Sequence, residues 1–274
     1  MIEFHRLASI LDGRPLADCQ CPECMTGCSP HGQARKVLRL WRLSDRAISY
    51  ACARCGASGF VTSGEARTLA PAEWAAMKRR QAEAKAGDEA EKERKRQLAM
   101  RLWSRGRPVA GTPAETYFRR HRGIACPLPS SLLWLPPSCR FPGAAMLPFE
   151  DPATGTIKGL HLTTLKADGM KIEKKMLGPG SAGYPLVCAM PEGCDHLVIA
   201  EGVEEALSLH QATGLPSWAA GSAGRLPGLA AHVPLWARLV TIVKDDDDAG
   251  RMGSLKLQRL MHRQRREVAI LEAV

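Results

Sequence analysis

The sequence has few aromatic residues and no long hydrophobic run. Aromatic side chains make up 5% of its 274 residues, so a core must rest mainly on aliphatic side chains, methionine and alanine. No apolar stretch approaches the roughly 18–20 residues that a membrane-spanning helix needs. The opening MIEFHRLASILDGRP lacks a basic stretch followed by a long apolar one. We therefore expect a cytoplasmic protein with no membrane partner.

Acidic residues are outnumbered by basic ones. The chain has 28 Asp and Glu against 38 Lys and Arg, which gives a formal net charge of +10. Such an excess favours a polyanionic partner, because each phosphate contact releases condensed counterions. Composition alone does not separate nucleic acid from an acidic membrane surface, but the basic balance favours nucleic acid.

The ten cysteines are too unevenly placed for a secreted disulfide scaffold. Two CxxC pairs flank the segments VLRLWRL and RAISYAC, which we predict to form a hairpin as in a zinc ribbon. Each pair offers two thiolates from one tight turn, so the two pairs complete a closed tetrahedral site for a structural Zn²⁺. The predicted ligands are Cys21, Cys24, Cys52 and Cys55. Three further residues could replace one ligand or be ordinary small or polar residues: Cys19, Cys28 and His31.

The chain divides by amino-acid composition and pattern into four regions, which predict a multidomain protein of α+β and α/β class. They are a zinc ribbon at 1–66, a charged helical linker at 67–106, a mixed basic subdomain at 107–194, and an alternation of short apolar strands and helices at 195–274. The last alternation predicts a Rossmann-like parallel sheet covered by helices. Ligands of such sheets bind beyond the carboxyl ends of the strands.

Acidic residues follow two strands of this predicted sheet. Glu201 comes after the first strand, and a run of four aspartates, 245–248, comes after the third. If the run is extended, Asp245 and Asp247 point to one side. Three such carboxylates bind Mg²⁺ or Mn²⁺, which can orient a displacement at phosphate. The alternative is a solvated acidic loop.

These motifs resemble a known family. The pairing of EG-x-x-E-A (residues 201–206) with D-x-D-x-A-G (residues 245–250) resembles the Toprim domain. The order of zinc ribbon, basic region and Toprim resembles the DNA primases of bacteria and phages, and more narrowly the primase-like Toprim proteins of phages and mobile elements. The resemblance implies that Glu201 is a metal ligand or general acid/base, and that Asp245 and Asp247 bind magnesium.

The resemblance also implies supporting and binding residues around that site. The supporting residues are Gly202, Glu205 and Gly250. Lys174 or Lys175 resembles the basic residue of the primase Lys-x-Leu segment. A template groove would be lined by basic side chains of the preceding subdomain, among them Arg119, Arg120 and Arg122.

The function that we expect is that of a DNA primase-like nucleotidyltransferase. It would make short RNA primers on single-stranded DNA from nucleoside triphosphates, with a divalent metal and with a replicative helicase acting in trans. Two alternatives stay open: a Toprim nuclease that uses the same metals for water attack, and a non-catalytic DNA-binding accessory factor of replication.

Overall fold

The structure is a computed structural model that describes residues 2–25, 30–64, 71–139, 141–178, 183–190 and 193–272. The chain divides into two compact units, residues 1–91 and 92–274. Each unit has its own hydrophobic core, so each is described by itself. The four-region division of the sequence stays a prediction.

The first unit is built on a four-stranded antiparallel sheet in the order β1-β2-β3-β4. Its helices and strands are α1 (Phe4–Leu11), β1 (Leu16–Cys19), α2 (Pro30–Gln33), β2 (Leu38–Ser44), β3 (Ala47–Cys52) and β4 (Ser58–Thr62). The predicted hairpin is confirmed, since β2 and β3 pair antiparallel. The helix α1 buries Leu7 and Leu11 in a core that also contains Leu38, Leu40 and Ile48.

A long charged helix, α3 (Pro71–Trp103), follows. Strong helix formers fill it, and it has no continuous apolar stripe along its length. At its carboxyl end, within the second unit, Ala99 is buried, and Leu102 and Trp103 pack against the same core cluster. Leu98, on the same helix end, remains 42% exposed.

The second unit contains a ten-stranded sheet in which antiparallel and parallel parts are continuous. Its strands are β5 (Arg107–Pro108), β6 (Leu133–Leu135), β7 (Ala144–Glu150), β8 (Ile157–Leu165), β9 (Lys171–Leu177), β10 (Leu186–Ala189), β11 (His196–Ala200), β12 (Ser217–Ala219), β13 (Leu239–Lys244) and β14 (Glu267–Glu272). The strands β14, β13, β11 and β12 run parallel in that order. The strand β10 pairs antiparallel with both β12 and β7 and so joins the two parts.

Helical segments cover both faces of the parallel strands. They are α4 (Pro113–Thr116), a π-helical turn (Tyr117–His121), α5 (Val203–Thr213), a 3-10 helix (Ala223–Ala231) and α6 (Asp248–Arg263). Alternate residues of β11 enter different cores: Val198 packs in the cluster with α5, and Ile199 packs in the cluster with the 3-10 helix and α6. Gly214 follows α5 with a φ of 70° in the left-handed region, which is typical of a glycine that ends a helix.

None of the described helices is long and apolar enough to cross a membrane.

Candidate functional site

Four cysteine thiols converge in the first unit. Cys21 and Cys24 follow β1, Cys52 ends β3, and Cys55 lies in the turn before β4. Their four sulfur atoms lie within 4.8 Å of one another. The Sγ atoms of Cys21 and Cys55 are 3.8 Å apart, as are those of Cys24 and Cys52.

This spacing is that of a tetrahedral metal site. Zinc–sulfur bonds of about 2.3 Å place the sulfurs of a tetrahedron about 3.8 Å apart. The Cys52 sulfur also accepts the backbone N–H of Arg54 at 3.4 Å and that of Cys55 at 3.5 Å, so the turn holds it as an acceptor. The donor set and geometry fit Zn²⁺, and the four thiols leave no open coordination position for catalysis.

The surplus candidates do not join this group. Cys19 is a free, partly buried thiol outside the four-cysteine cluster. Cys28 and the side chain of His31 lie outside the described residues.

In the second unit, the carboxyl edge of the parallel sheet brings Glu201 to Asp245. Glu201 directly follows β11, and Asp245 directly follows β13, its neighbour in the sheet. The two carboxyl groups lie close enough that the pKa of Glu201 responds to Asp245. Burial raises the pKa of Glu201 to about 7, and the negative charges of Asp245 and Asp247 add to this shift.

The expectation that the aspartate run is extended is wrong. The strand β13 ends at Lys244, the chain bends, and α6 begins at Asp248. Asp247 is the N-cap of α6, and its Oδ1 accepts the backbone N–H of Gly250 at 2.6 Å. Capping satisfies one of the unpaired amides at a helix start, which is why the chain bends here rather than continuing extended.

Gly250 permits this tight turn. A Cβ at this position would lie 2.8 Å from the Cβ of Asp245, 2.9 Å from its carbonyl oxygen and 3.1 Å from Oδ1 of Asp247. Contacts this short with backbone cannot be relieved by side-chain rotation alone. The glycine of the D-x-D-x-A-G motif therefore has a packing role directly beneath both aspartates.

The other two aspartates of the run point to a surface arginine. Arg251 pairs with Asp246 at 2.7 Å and with Asp248 at 2.8 Å. These carboxylates are largely exposed, with side-chain exposures of 92% and 74%. The structure thus separates Asp246 and Asp248 from Asp245 and Asp247, as alternation along the run predicts, although it does so by a bend and a helix cap.

The carboxylate edge is looser than the thiol cluster. Within the described residues, the four thiols are the one group of three or more potential ligands gathered closely enough to surround a metal ion. The carboxylates still place negative charges near one another, because the charges of Asp245 and Asp247 add to the burial that raises the pKa of Glu201. Oxygen donors of this kind suit Mg²⁺ or Mn²⁺, and a bound cation would relieve their mutual repulsion.

Glu205 and Gly202 support the start of α5. Gly202 is the N-cap. Burial raises the pKa of Glu205, the charge of Asp245 adds to the shift, and hydrogen bonds from the backbone of Gly202 and Glu201 oppose it. The side chain of Glu205 therefore faces back toward the helix start and the carboxylate edge, as in a capping box.

A second network at the same helix was not predicted. Glu204 accepts hydrogen bonds from the hydroxyl of Tyr117 and, at 2.9 Å, from Nζ of Lys174. Arg122 donates from Nε to the Tyr117 hydroxyl at 3.1 Å. Burial opposes ionisation of Glu204, but Lys174 and Tyr117 prevail and lower its pKa to about 2. One signal could have shown its burial, since Glu204 lies one turn before the buried Leu207 on the same helix face.

The remaining predicted binding residues lie in different environments. Lys175 pairs with Glu173 at 2.6 Å on the exposed side of β9. Arg119 donates from Nη1 to the carbonyl oxygens of Ile124 and Cys126 at 2.7 and 2.6 Å, so it ties down the chain that follows the π-helical turn. Arg120 is exposed.

His161 lies on β8, which pairs with β9, the strand that contains Lys174. It is 3% exposed and its ring packs edge-on to Phe149 at 6.4 Å. Burial lowers the pKa of His161 to about 4, and Lys174 and Arg225 act in the same direction. His161 is therefore neutral at physiological pH and packed in the interior.

Comparison with protein families decides the identity of the parallel-sheet region. Residues 196–273 match the Toprim domain family. The carboxyl-terminal region is a Toprim domain. Residues 93–184, immediately before the Toprim domain, match a domain of unknown function, DUF7146. The resemblance drawn from the motifs is confirmed in the Toprim domain, and the four-cysteine cluster accords with the zinc ribbon.

Individual relatives are distant. No curated protein matches the sequence significantly. One similar solved structure is described as the crystal structure of the primase fragment of the bacteriophage T7 primase-helicase protein. It is 14% identical with a TM-score of 0.39, over 58% of this chain and 60% of that chain. The match thus covers less than two thirds of the length of that fragment.

Proposed function

We propose that the protein is a primase-type nucleotidyltransferase that synthesises short RNA primers on single-stranded DNA. The observation that carries this proposal is the carboxylate edge of the Toprim domain, where Glu201 lies against Asp245 beside Asp247. The thiol cluster that fits zinc and the net charge of +10 support a nucleic-acid substrate.

The proposed roles at the edge follow from charge and proximity. Glu201, Asp245 and Asp247 would hold Mg²⁺ or Mn²⁺, which supplies charge neutralisation at the phosphate oxygens when bound. Glu201 acts either as a ligand of this cation or, where it does not bind the cation, as the proton acceptor for an attacking 3′-hydroxyl, because its pKa of about 7 in the cation-free protein suits proton transfer near neutral pH. Glu205 and Gly202 hold the helix start that positions it.

The proposed nucleotide-binding residues lie on the neighbouring elements. Lys174 and Arg122 meet at Glu204 and Tyr117, next to the start of α5. Lys175 and Arg120 are surface cations available to a phosphate backbone, whereas Arg119 contributes mainly by holding its own loop. A replicative helicase acting in trans stays part of the proposal as its expected partner.

The test compares two neighbouring aspartates. Asp245→Asn removes a charge from the edge and keeps the shape of the side chain, so primer synthesis should fall by about a hundredfold or more. Asp246→Asn is the matched control, because Asp246 pairs with the exposed Arg251, and it should retain nearly full activity. The assay is primer synthesis on single-stranded DNA with labelled ribonucleotides and Mg²⁺ or Mn²⁺.

The same assay decides between the proposal and its alternatives. Full synthesis by Asp245→Asn would show that the edge is not the active site. A wild-type protein that cuts DNA and never polymerises would replace the primase with a nuclease. If neither activity occurs with either metal, the result favours the alternative of a non-catalytic DNA-binding factor.

A further inference from the structure

Arg225 lies beside the carboxylate edge and has no part in the site described so far. It belongs to the 3-10 helix that follows β12, and its Nε donates to the carbonyl oxygen of Ala220 at 2.6 Å. The next residue, Gly221, donates its backbone N–H to the carbonyl oxygen of Glu201 at 2.8 Å. Two hydrogen bonds, one to Ala220 and one from Gly221, therefore connect the Arg225 guanidinium with the backbone of Glu201.

The guanidinium plane of Arg225 is fixed by an aromatic ring. Its Cζ lies 4.1 Å from the centroid of the Phe149 ring, and Phe149 is fully buried. A ring that is held rigidly on β7 orients the guanidinium at little entropic cost. One face and Nε of Arg225 are thus committed to the protein, whereas no described residue accepts a hydrogen bond from its Nη groups.

The polar requirements of Arg225 are not met by the described part of the chain. Its Nη2 is buried without a hydrogen-bond partner there. Burial lowers the pKa of Arg225 to about 10, and no described carboxylate counteracts this shift. Buried charges in proteins are ordinarily paired and hydrogen-bonded, because an unpaired one is costly.

Arg266 in the same unit is a partly buried arginine whose hydrogen bonds can be compared with those of Arg225. Its Nη groups donate to three backbone carbonyl oxygens, those of Val233, Pro234 and Ala237. Arg225 has one such acceptor, and that acceptor takes Nε alone. A purely structural role therefore leaves most of the hydrogen-bonding capacity of Arg225 unused.

The groups that face Arg225 leave its charge unbalanced. His161 is neutral at physiological pH, since burial lowers its pKa to about 4. Lys174 is matched by its ion pair with Glu204. Among the described residues, no anion therefore offsets the positive charge of Arg225.

We propose that Arg225 is a phosphate-binding residue whose Nη groups receive a phosphoryl oxyanion delivered to the carboxylate edge. A planar fork of N–H donors matches the oxygens of phosphate, and pairing a desolvated guanidinium with an anion gives strong, charge-assisted hydrogen bonds. The oxyanion belongs either to a nucleoside triphosphate or to a nucleic-acid backbone. The inference rests on the proposed function, because that function supplies the phosphate ligands.

The experiment measures anion binding to the full-length protein by calorimetry, without divalent cation and therefore without turnover. The probes are inorganic tripolyphosphate and a short oligothymidylate, which distinguish the two sources of phosphate. Arg225→Met should weaken binding of at least one probe by about tenfold or more. Arg259→Gln, which removes an exposed charge from α6, should change either affinity by no more than about twofold.

Thermal unfolding of the same variants separates binding from structure. Arg225→Met should melt at the same temperature as the wild type or higher, because it removes an uncompensated buried charge. Unchanged affinity for both probes in Arg225→Met, or a wild type that binds neither, would overturn the proposal. Binding that depends on Arg225 in a protein that makes no primers would refute the proposed function alone. Normal binding by Arg225→Met in an active primase would refute the role of Arg225 alone.

Discussion

The two candidate metal sites of this protein differ in how completely the fold assembles them. In the first unit, four thiols already stand at the spacing of a tetrahedral metal site. In the second unit, carboxylates share one sheet edge, yet they repel one another and one of them caps a helix. A closed set of ligands serves structure, whereas a looser set of oxygen donors leaves positions for substrate and for change during a reaction.

The largest effect should come from breaking the closed site. Cys52 is both a proposed ligand and part of the core of the first unit. Binding of a structural zinc is worth on the order of 10 kcal/mol or more, comparable with the whole stability of a domain. Cys52→Ala should therefore lose its zinc and expose residues 1–91 to protease, while residues 92–274 resist. Elemental analysis and mapped limited proteolysis are the measurements.

Cys19→Ala is the matched control for this prediction. Cys19 is a partly buried thiol in the same unit but outside the cluster, so this variant should keep about one equivalent of zinc and its resistance to protease. A zinc-free wild type with a folded first unit, or zinc loss in Cys19→Ala, would contradict the proposed ligand set.

The second-largest effect tests whether Gly250 positions the carboxylate edge. Gly250→Ala places a methyl group against the backbone and Cβ of Asp245, and overpacking of this kind costs about 1–3 kcal/mol. Because the strain acts directly on Asp245, primer synthesis should fall along with stability. Gly87→Ala in α3, where nothing lies within 4 Å, is the control and should stabilise the helix slightly. Equal activity of the two variants would show that Gly250 does not position the aspartates.

The contrast between the sites also shows what sequence alone can predict. The parallel strands, α5 with its glycine stop, and the ribbon hairpin could be predicted because their patterns are local. The turn at the aspartate run could not, since an aspartate before a helix fits both an extended alternation and an N-cap. The partners of Glu204 could not either, because Tyr117 lies 87 residues away in sequence and Lys174 lies 30 away.

A smaller effect concerns the buried ion pair beside the open site. Glu204 is 14% exposed in its pair with Lys174, and Glu204→Gln leaves that lysine without a countercharge. The cost should be about 1–3 kcal/mol at neutral pH. Because the pKa of Glu204 is lowered to about 2, its contribution is present above the unfolded pKa and fades as the pH falls toward 2. Chemical denaturation of both proteins at several pH values measures the difference.

Glu173→Gln provides the matched surface pair on the same strand. Glu173 and Lys175 are 46% and 53% exposed, so their pair should contribute at most about 1 kcal/mol. If Glu173→Gln were as destabilising as Glu204→Gln, burial would not be what distinguishes the two pairs.

The smallest effect is a gain in stability rather than a loss. It tests how strongly the carboxylates of the edge repel one another. The folded protein keeps a proton on Glu201 up to a pKa of about 7, whereas the ordinary value is 4.5. The native state therefore binds more protons than the unfolded state between these values, and wild-type stability falls as pH rises through that window. Glu201→Gln removes the repelled charge, so at pH 8 without divalent cation it should be more stable than the wild type. Allowing for solvent screening, the gain is about 1 kcal/mol, or about 2–4 °C in melting temperature, and it should vanish below pH 4.5.

Added Mg²⁺ should raise the melting temperature of the wild type more than that of Glu201→Gln, because binding to the native state stabilises it. Glu272→Gln is the control of opposite sign, since Lys244 lowers the pKa of Glu272 and its removal should not stabilise the protein. A Glu201→Gln variant that melts below the wild type at pH 8 would show that the edge holds its carboxylates without strain.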